Sequence, residues 1–297
     1  MAEKAGVFDR LFISADDTSY TELEFLPNPT LGFQGSQYNS DGLRGGFDVP
    51  ATRTRENVGQ VGGSISFAPN PAELDLLLFW VTGATKSGNN YAPTSTTKCL
   101  ARYLRTARDG DFDLYTGCKV QSAQFTCAVG QPLTVTLQIV GETETTGSTL
   151  PGTLTAIDDT DGPYMMSDCV LSVASTEYPF RQMQVTYENM LKVDHNNSIT
   201  PSRITHVDRR IQAGFSFPHG DTTALYNPTL AGVAVVATFT HATAGKSLTI
   251  TMPKVQVPRE PKPFGQRGDT STMSWNGVVR KTSGSAIITF ANDSTGS

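Results

Sequence analysis

Leu133, Val135, Leu137 and Ile139 alternate with Thr134, Thr136 and Gln138. This is the period of a strand with one face in a core and the other in water, and a helix cannot hold such a pattern on one side. Ile211, Ala213, Phe215 and Phe217 repeat it against Gln212, Gly214 and Ser216. Further strands are predicted over residues 11–14, 20–26, 99–106, 111–115, 118–127, 169–174, 181–192, 206–217, 233–240, 248–257, 270–279 and 286–290. Residues 128–132 form a hairpin turn between the 118–127 strand and the one at 133–140. Charged residues make up only 17% of the 297. With abundant Ser, Thr and Gly, that composition predicts a mainly β chain.

One helix stands out, over residues 71–82. A short strand carrying Val61, Ile65 and Phe67 precedes it. Asn70 is a good N-cap, Pro71 suits the first helical position, Glu73 completes a capping box, and Gly83 is placed to end the helix. Leu74, Leu77, Leu78 and Val81 form a stripe that Leu76, Phe79 and Trp80 widen almost all round. Such a helix must be covered on most sides, and the four stripe residues are assigned to packing near a domain boundary.

Several functions are disfavoured. A net charge of -5 offers no basic excess for gripping phosphates. No run approaches the roughly 20 apolar residues of a membrane span, and the N-terminal residues lack the apolar core of a signal peptide. Cys99, Cys118, Cys127 and Cys169 show no CxxC pairing and read as free thiols of a reducing cytosol. Cys118 and Cys127, nine apart, would face opposite ways on an unbroken strand.

Gly245-Lys246-Ser247 lacks the earlier glycine and following helix of a phosphate loop, so a hairpin turn is expected. Asp158, Asp159 and Asp161 lack the later Glu of a calcium loop and read as a solvated connection. His195, His206, His219 and His241 show no metal-ligand spacing and are assigned to surface or strand-edge positions. No catalytic, cofactor-binding or metal residue is nominated, and no cofactor is expected.

The halves of the chain can be overlaid. Ser66-Phe67 matches Ser216-Phe217 at an offset of 150, while Lys119-Val120-Gln121 matches Lys254-Val255-Gln256 and Gly130-Gln131 matches Gly265-Gln266 at 135. This predicts two related β domains, at 1–150 and 169–297, joined by a connection at 151–168. In the second copy the helix shrinks to a turn or two around 221–226. Residues 32–57, 84–97 and 141–163 lack a sustained period and are read as loops, the first as a contact arm. The proline-rich run from Pro253 is either a rigid edge or an extended arm, an arm being expected after Val257.

The strand ending GGSISF, the helix NPAELDLLLFWVTG, the hairpin YTGCKVQSAQFTC…PLTVTLQIVG and the strand STMSWNGVV together resemble the major tail tube proteins of long, non-contractile-tailed bacteriophages. The resemblance implies β-sandwich or rolled-sheet domains with a short flanking helix, whose sheets close a barrel across subunits. Rings of such subunits stack into a tube through which DNA leaves the particle. For a two-domain chain it implies a homotrimeric, pseudo-hexameric ring, with a homohexamer as the alternative. The implied partners are further copies of the chain, the tape measure protein, the tail terminator and tip proteins, and DNA passing without specific binding. The resemblance also implies no membrane insertion, a place in the virion tail, and assembly in the bacterial cytoplasm.

On that reading Arg44, Arg53 and Arg55 in the 32–57 loop, with Arg259 and Lys262 in the 258–268 segment, are candidate contacts between rings. Arg203, Arg209 and Arg210 are either partners across a subunit boundary or isolated surface charges. An alternative is a β-sandwich carbohydrate-binding or adhesion module, which needs exposed aromatics. Trp80 and Trp275 do not supply them, since both lie in apolar or strand-like runs. A β-scaffold glycosidase would need a carboxylate pair, and the sequence singles none out.

Overall fold

The computed structural model describes residues 10–39, 54–108, 111–147, 149, 153–156, 160–218, 232–258 and 272–295. The first half contains β1 (Arg10–Ser14), β2 (Ser19–Leu23), β3 (Thr30–Asn39), β4 (Thr54–Phe67), α1 (Pro71–Thr82), β5 (Asn90–Tyr91), β6 (Arg102–Arg108), β7 (Asp111–Ala128), β8 (Thr134–Gly141) and β9 (Thr143–Thr146). Then come β10 (Thr153–Thr155), a 3-10 turn at Met166–Asp168, β11 (Cys169–Val173), β12 (Thr176–Tyr178), β13 (Gln182–Asp194), β14 (Arg203–Pro218), β15 (Val233–Thr240), β16 (Ser247–Gln256), β17 (Thr272–Val279) and β18 (Thr289–Asp293). The protein is mainly β, as its alternation requires.

The two halves are wired alike. β1 pairs with β2 and β6, β3 with β4, β4 with β8, β6 with β7, and β7 with β8 and β9, all antiparallel. In the second half β11 pairs with β12 and β15, β13 with β14, β14 with β17, β15 with β16, and β16 with β17 and β18, again antiparallel. Phe67 stands opposite Val135 just as Phe217 stands opposite Met273. Two ladders join the halves: β13 runs beside β7 from Gln182↔Ala128 to Glu188↔Ser122, and β18 pairs with β5 at Phe290↔Tyr91 and Ala291↔Asn90. The large sheet therefore runs β3-β4-β8-β7-β13-β14-β17-β16-β15-β11-β12, and it does not close into a barrel within the chain.

β7 serves two sheets. Residues before Gly117 lie between β6 and β9, and those from Lys119 onward between β8 and β13. Gly117 makes the change of direction at φ 63, and a Cβ there would sit 2.5 Å from the Glu142 carboxyl carbon. Only glycine meets both demands cheaply.

α1 forms as its caps dictate. The Asn70 side chain accepts from Glu73 N (2.8 Å), and the Glu73 carboxylate accepts from Asn70 N (3.2 Å) and from Glu24 N (3.0 Å). Gly83 ends the helix in the left-handed region. Leu74, Leu77, Leu78 and Val81 are wholly buried in a core shared with Phe125, Tyr187, Phe217, Phe239 and Phe290, so side chains of both halves pack together.

Several expectations need correction. Residues 32–39 and 54–57 are not loop: they belong to the long β3–β4 hairpin, paired from Thr30↔Ser64 to Asn39↔Thr54. Its outer part is exposed on both sides, so no apolar alternation marks it. The 141–163 connection contains β9, a polar Thr/Glu strand, and the short exposed β10 (Thr-Leu-Thr), and the 84–97 loop contains β5. The 111–115 and 118–127 strands are one. Cys118 and Cys127 are both buried because the β7–β8 register shifts between Val120 and Ser122, and the extra residue reverses the alternation. The segments 221–226 and 259–271 lie outside the described residues.

Candidate functional site: the joint and the open edge

Where the halves meet, a polar cluster is built around Asp75 of α1. Its carboxylate accepts from Lys86 Nζ (2.6 Å), Tyr91 Oη (3.1 Å), Asn292 Nδ2 (2.8 Å) and Ser294 Oγ (2.5 Å). Asn292 also donates to the Pro71 carbonyl (2.8 Å) and accepts from Tyr164 Oη (2.9 Å). Burial, followed by the Asp75 charge, pushes the Tyr91 phenol up and keeps it a neutral donor. Beside this cluster the Phe125 and Phe290 rings pack 5.1 Å apart. Every group of the cluster has partners, so the network fixes one relative placement of α1, β5 and β18.

At the other end of the helix, Asn189 of β13 donates to the carbonyls of Val81 (3.0 Å) and Val120 (3.1 Å). The Val81 carbonyl is one of the last-turn acceptors a helix cannot satisfy itself. The four stripe residues are buried in the core. The polar residues that lock the helix to the second half went unnominated. Their signal was present: Asn189 follows Met183, Val185 and Tyr187 in phase, and Asn292 follows Phe290. A lone Asn in an apolar register marks a buried polar contact.

The sheet's first strand is an open edge. Among the described strands β3 pairs with β4 alone. Phe33 N donates instead to Glu144 Oε2 (2.7 Å), so that amide points away from β4 and a carboxylate covers it. Such a charge is a common guard on a strand edge that would otherwise pair with another chain. Beyond Phe33 the hairpin exposes Tyr38 and Val58 as well as the charged Arg55 and Glu56.

Of the five charged residues assigned to contacts between units, only Arg55 falls among the described residues; Arg44, Arg53, Arg259 and Lys262 lie outside them. Arg209, offered for a subunit boundary, is used internally. Its guanidinium donates to the carbonyls of Thr94 (3.1 Å) and Thr97 (2.7 Å) and lies 5.4 Å over the Tyr187 ring. Arg203 and Arg210 are exposed.

The histidines are more embedded than expected. His206 Nδ1 accepts from Cys99 N (3.2 Å) while Nε2 reaches the Asp208 carbonyl (2.8 Å), which fixes the neutral tautomer. His241 is buried, with Nε2 on the Gly162 carbonyl (2.9 Å). His219 lies outside the described residues. Lys246, in the turn between β15 and β16, pairs with Asp161, so the phosphate-loop look-alike and the calcium-loop look-alike satisfy each other. Among the described residues no helix is long and apolar enough to cross a membrane.

Among the described residues of this mainly β protein, the first strand of the large sheet stands as an open edge. Residues 10–286 match a family described as phage tail tube protein, and the chain belongs to that family. It is therefore a structural component of a phage tail. No curated protein matches the chain.

Proposed function

We propose that this chain is the repeating subunit of a long, non-contractile tail, forming stacked rings around a conduit for DNA ejection. Residues 1–150 and 169–297 act as two copies of one tail-tube domain, joined through 151–168. The observation that carries this reading is the joint between β7 and β13. β13 holds in the second half the place that β3 holds in the first, and its outer edge is taken by β7 of the first half. An equivalent step between chains would bring the open edge of β3 to the second half of a neighbour. Three chains would then give six domains and a closed ring without exposed edges.

On this reading the β3–β4 hairpin, with Arg55, reaches the next ring. The tape measure and the terminator and tip proteins meet the tube, and assembly takes place in the bacterial cytoplasm. Negative-stain microscopy of concentrated protein is expected to show rings or tubes. Native mass measurement of an isolated ring is expected to give three chains. Six chains would mean that each chain supplies one domain-equivalent to the ring, and a monomer at every concentration would overturn the reading.

A further inference from the structure

The large sheet has two faces of very different chemistry. One buries the core. The other presents Gln60, Gly62, Ser64 and Ser66 on β4, Thr134, Thr136 and Gln138 on β8, and Ser122, Gln124 and Thr126 on β7. It continues through Gln182, Gln184 and Thr186 on β13, then Gln212, Gly214 and Ser216 on β14, and Ser274 and Asn276 on β17. The register aligns them in rows: Ser66 faces Thr136, which faces Gln124, which faces Thr186, which faces Gln212. Along one of these rows the Ser66 and Thr136 hydroxyls bond to each other at 2.9 Å.

Along β4-β8-β7-β13-β14-β17, the stretch to which this face is confined, charge enters only at the upper margin, whereas the sheet's last strand, β12, carries the exposed Glu177. Glu188 and Arg210 are direct cross-strand partners of opposite sign, and Lys119 donates its ammonium to the Ile204 carbonyl (2.5 Å). The pattern holds in both halves. Ser66 with Thr136 corresponds to Ser216 with Ser274, and Ser64 with Gln138 to Gly214 with Asn276.

We propose that this face is the wall past which nucleic acid moves, and that the wall is electrically neutral rather than acidic. This rests on the conduit reading above. Lysine or arginine rows would hold phosphates and release counterions, giving tight, salt-dependent binding. Aromatic platforms would stack unpaired bases, and the face has none. Hydroxyls and carboxamides exchange hydrogen bonds between water and a passing phosphate at little net cost. The glycines on β4 and β14 keep the surface low.

Two measurements test this on assembled rings or tubes, in a Cys169→Ser background so that the other native thiols stay buried. Thr186→Cys is expected to react with a small maleimide but not with one bearing a long polyethylene glycol chain. Glu177→Cys, on the exposed β11–β12 hairpin, should react with both. Gln124→Lys with Gln184→Lys is expected to make the assemblies retain short duplex DNA at least about tenfold more tightly at low salt, the gain vanishing at high salt. Labelling of Thr186→Cys by the bulky reagent would place the face outside and overturn the proposal while leaving the tube intact. Unchanged DNA retention in intact lysine-bearing tubes would also overturn it. Failure of the unsubstituted chain to assemble would instead remove the conduit reading on which it rests.

Discussion

The two long hairpins differ in one respect that matters most. β13–β14 has its outer edge covered by β7 and its far turn held to the first hairpin through Gly59 N and the Ile199 carbonyl (2.8 Å). Among the described strands β3–β4 has no such cover, and it extends into solvent. The same supersecondary unit is thus an internal partner in one half and an unsatisfied edge in the other. The covered edge shows what the open one can accept, namely an antiparallel strand with alternating apolar side chains beneath it.

Proline separates the two situations. With β4 laid on β14 at the offset of 150, Phe33 opposite Val61 matches Tyr187 opposite Ile211, and Met183 lies four residues before Tyr187 on the same buried face. Met183→Pro sits in a strand paired on both sides, at a fully buried position. It is expected to abolish folding, read as loss of the cooperative melt, because a central strand cannot spare a ladder amide. Phe33→Pro removes an amide that β4 does not use. It should leave a folded monomer melting near the parent temperature, yet one that forms no rings under negative stain. If rings persist, the β3 edge is not the site of association.

The joint is the next test. Asn292→Ala removes bonds to Tyr164, Pro71 and Asp75, and so leaves a buried phenol and carbonyl short of partners. The expected loss is about 2–4 kcal/mol, read from denaturant unfolding. Both halves should melt together, since they share a core. A separate early transition of the first half would show that the halves fold as independent units and that the joint does not couple them.

Much of this could be read from the chain. Most strands with one face in the core announced themselves by alternation, though the short β5 and β12 gave no such signal, and ends are displaced by up to three residues at β2, β6, β14 and β18. α1 announced itself by its capping residues. The hairpin β3–β4 did not, and the reason is physical. Beyond Val61 neither face is buried, so its residues obey no apolar period, and Gly32, Gly35, Gly59, Gly62 and Gly63 lower its strand propensity. The bulge after Val120 is equally silent in sequence, yet it decides that Cys118 and Cys127 share the core. The joint was half legible. The burial of the apolar stripe of α1 could be read from its spacing, whereas Asn189 and Asn292 needed the strand register before their buried partners could be seen.

His206 gives the smallest and most selective test of the contrast between hairpins. In the second hairpin it ties the strand to Cys99, while the matching place in the first carries the exposed Glu56. Burial lowers the His206 pKa from its ordinary 6.5, helped by Arg209 and Lys119 and opposed by the Asp208 carbonyl and carboxylate. A folded pKa below the unfolded one means that the unfolded chain takes up the proton first. The contribution of His206 is therefore complete above about pH 6.5 and is lost as pH falls from there through the folded pKa. Denaturant midpoints measured from neutral pH downward should fall over that window in the parent and stay flatter in His206→Gln, which keeps a side chain able to accept from Cys99 N. The slope that remains in His206→Gln belongs to other groups, so parallel curves for the two proteins would show that the second hairpin is not tied down through its histidine.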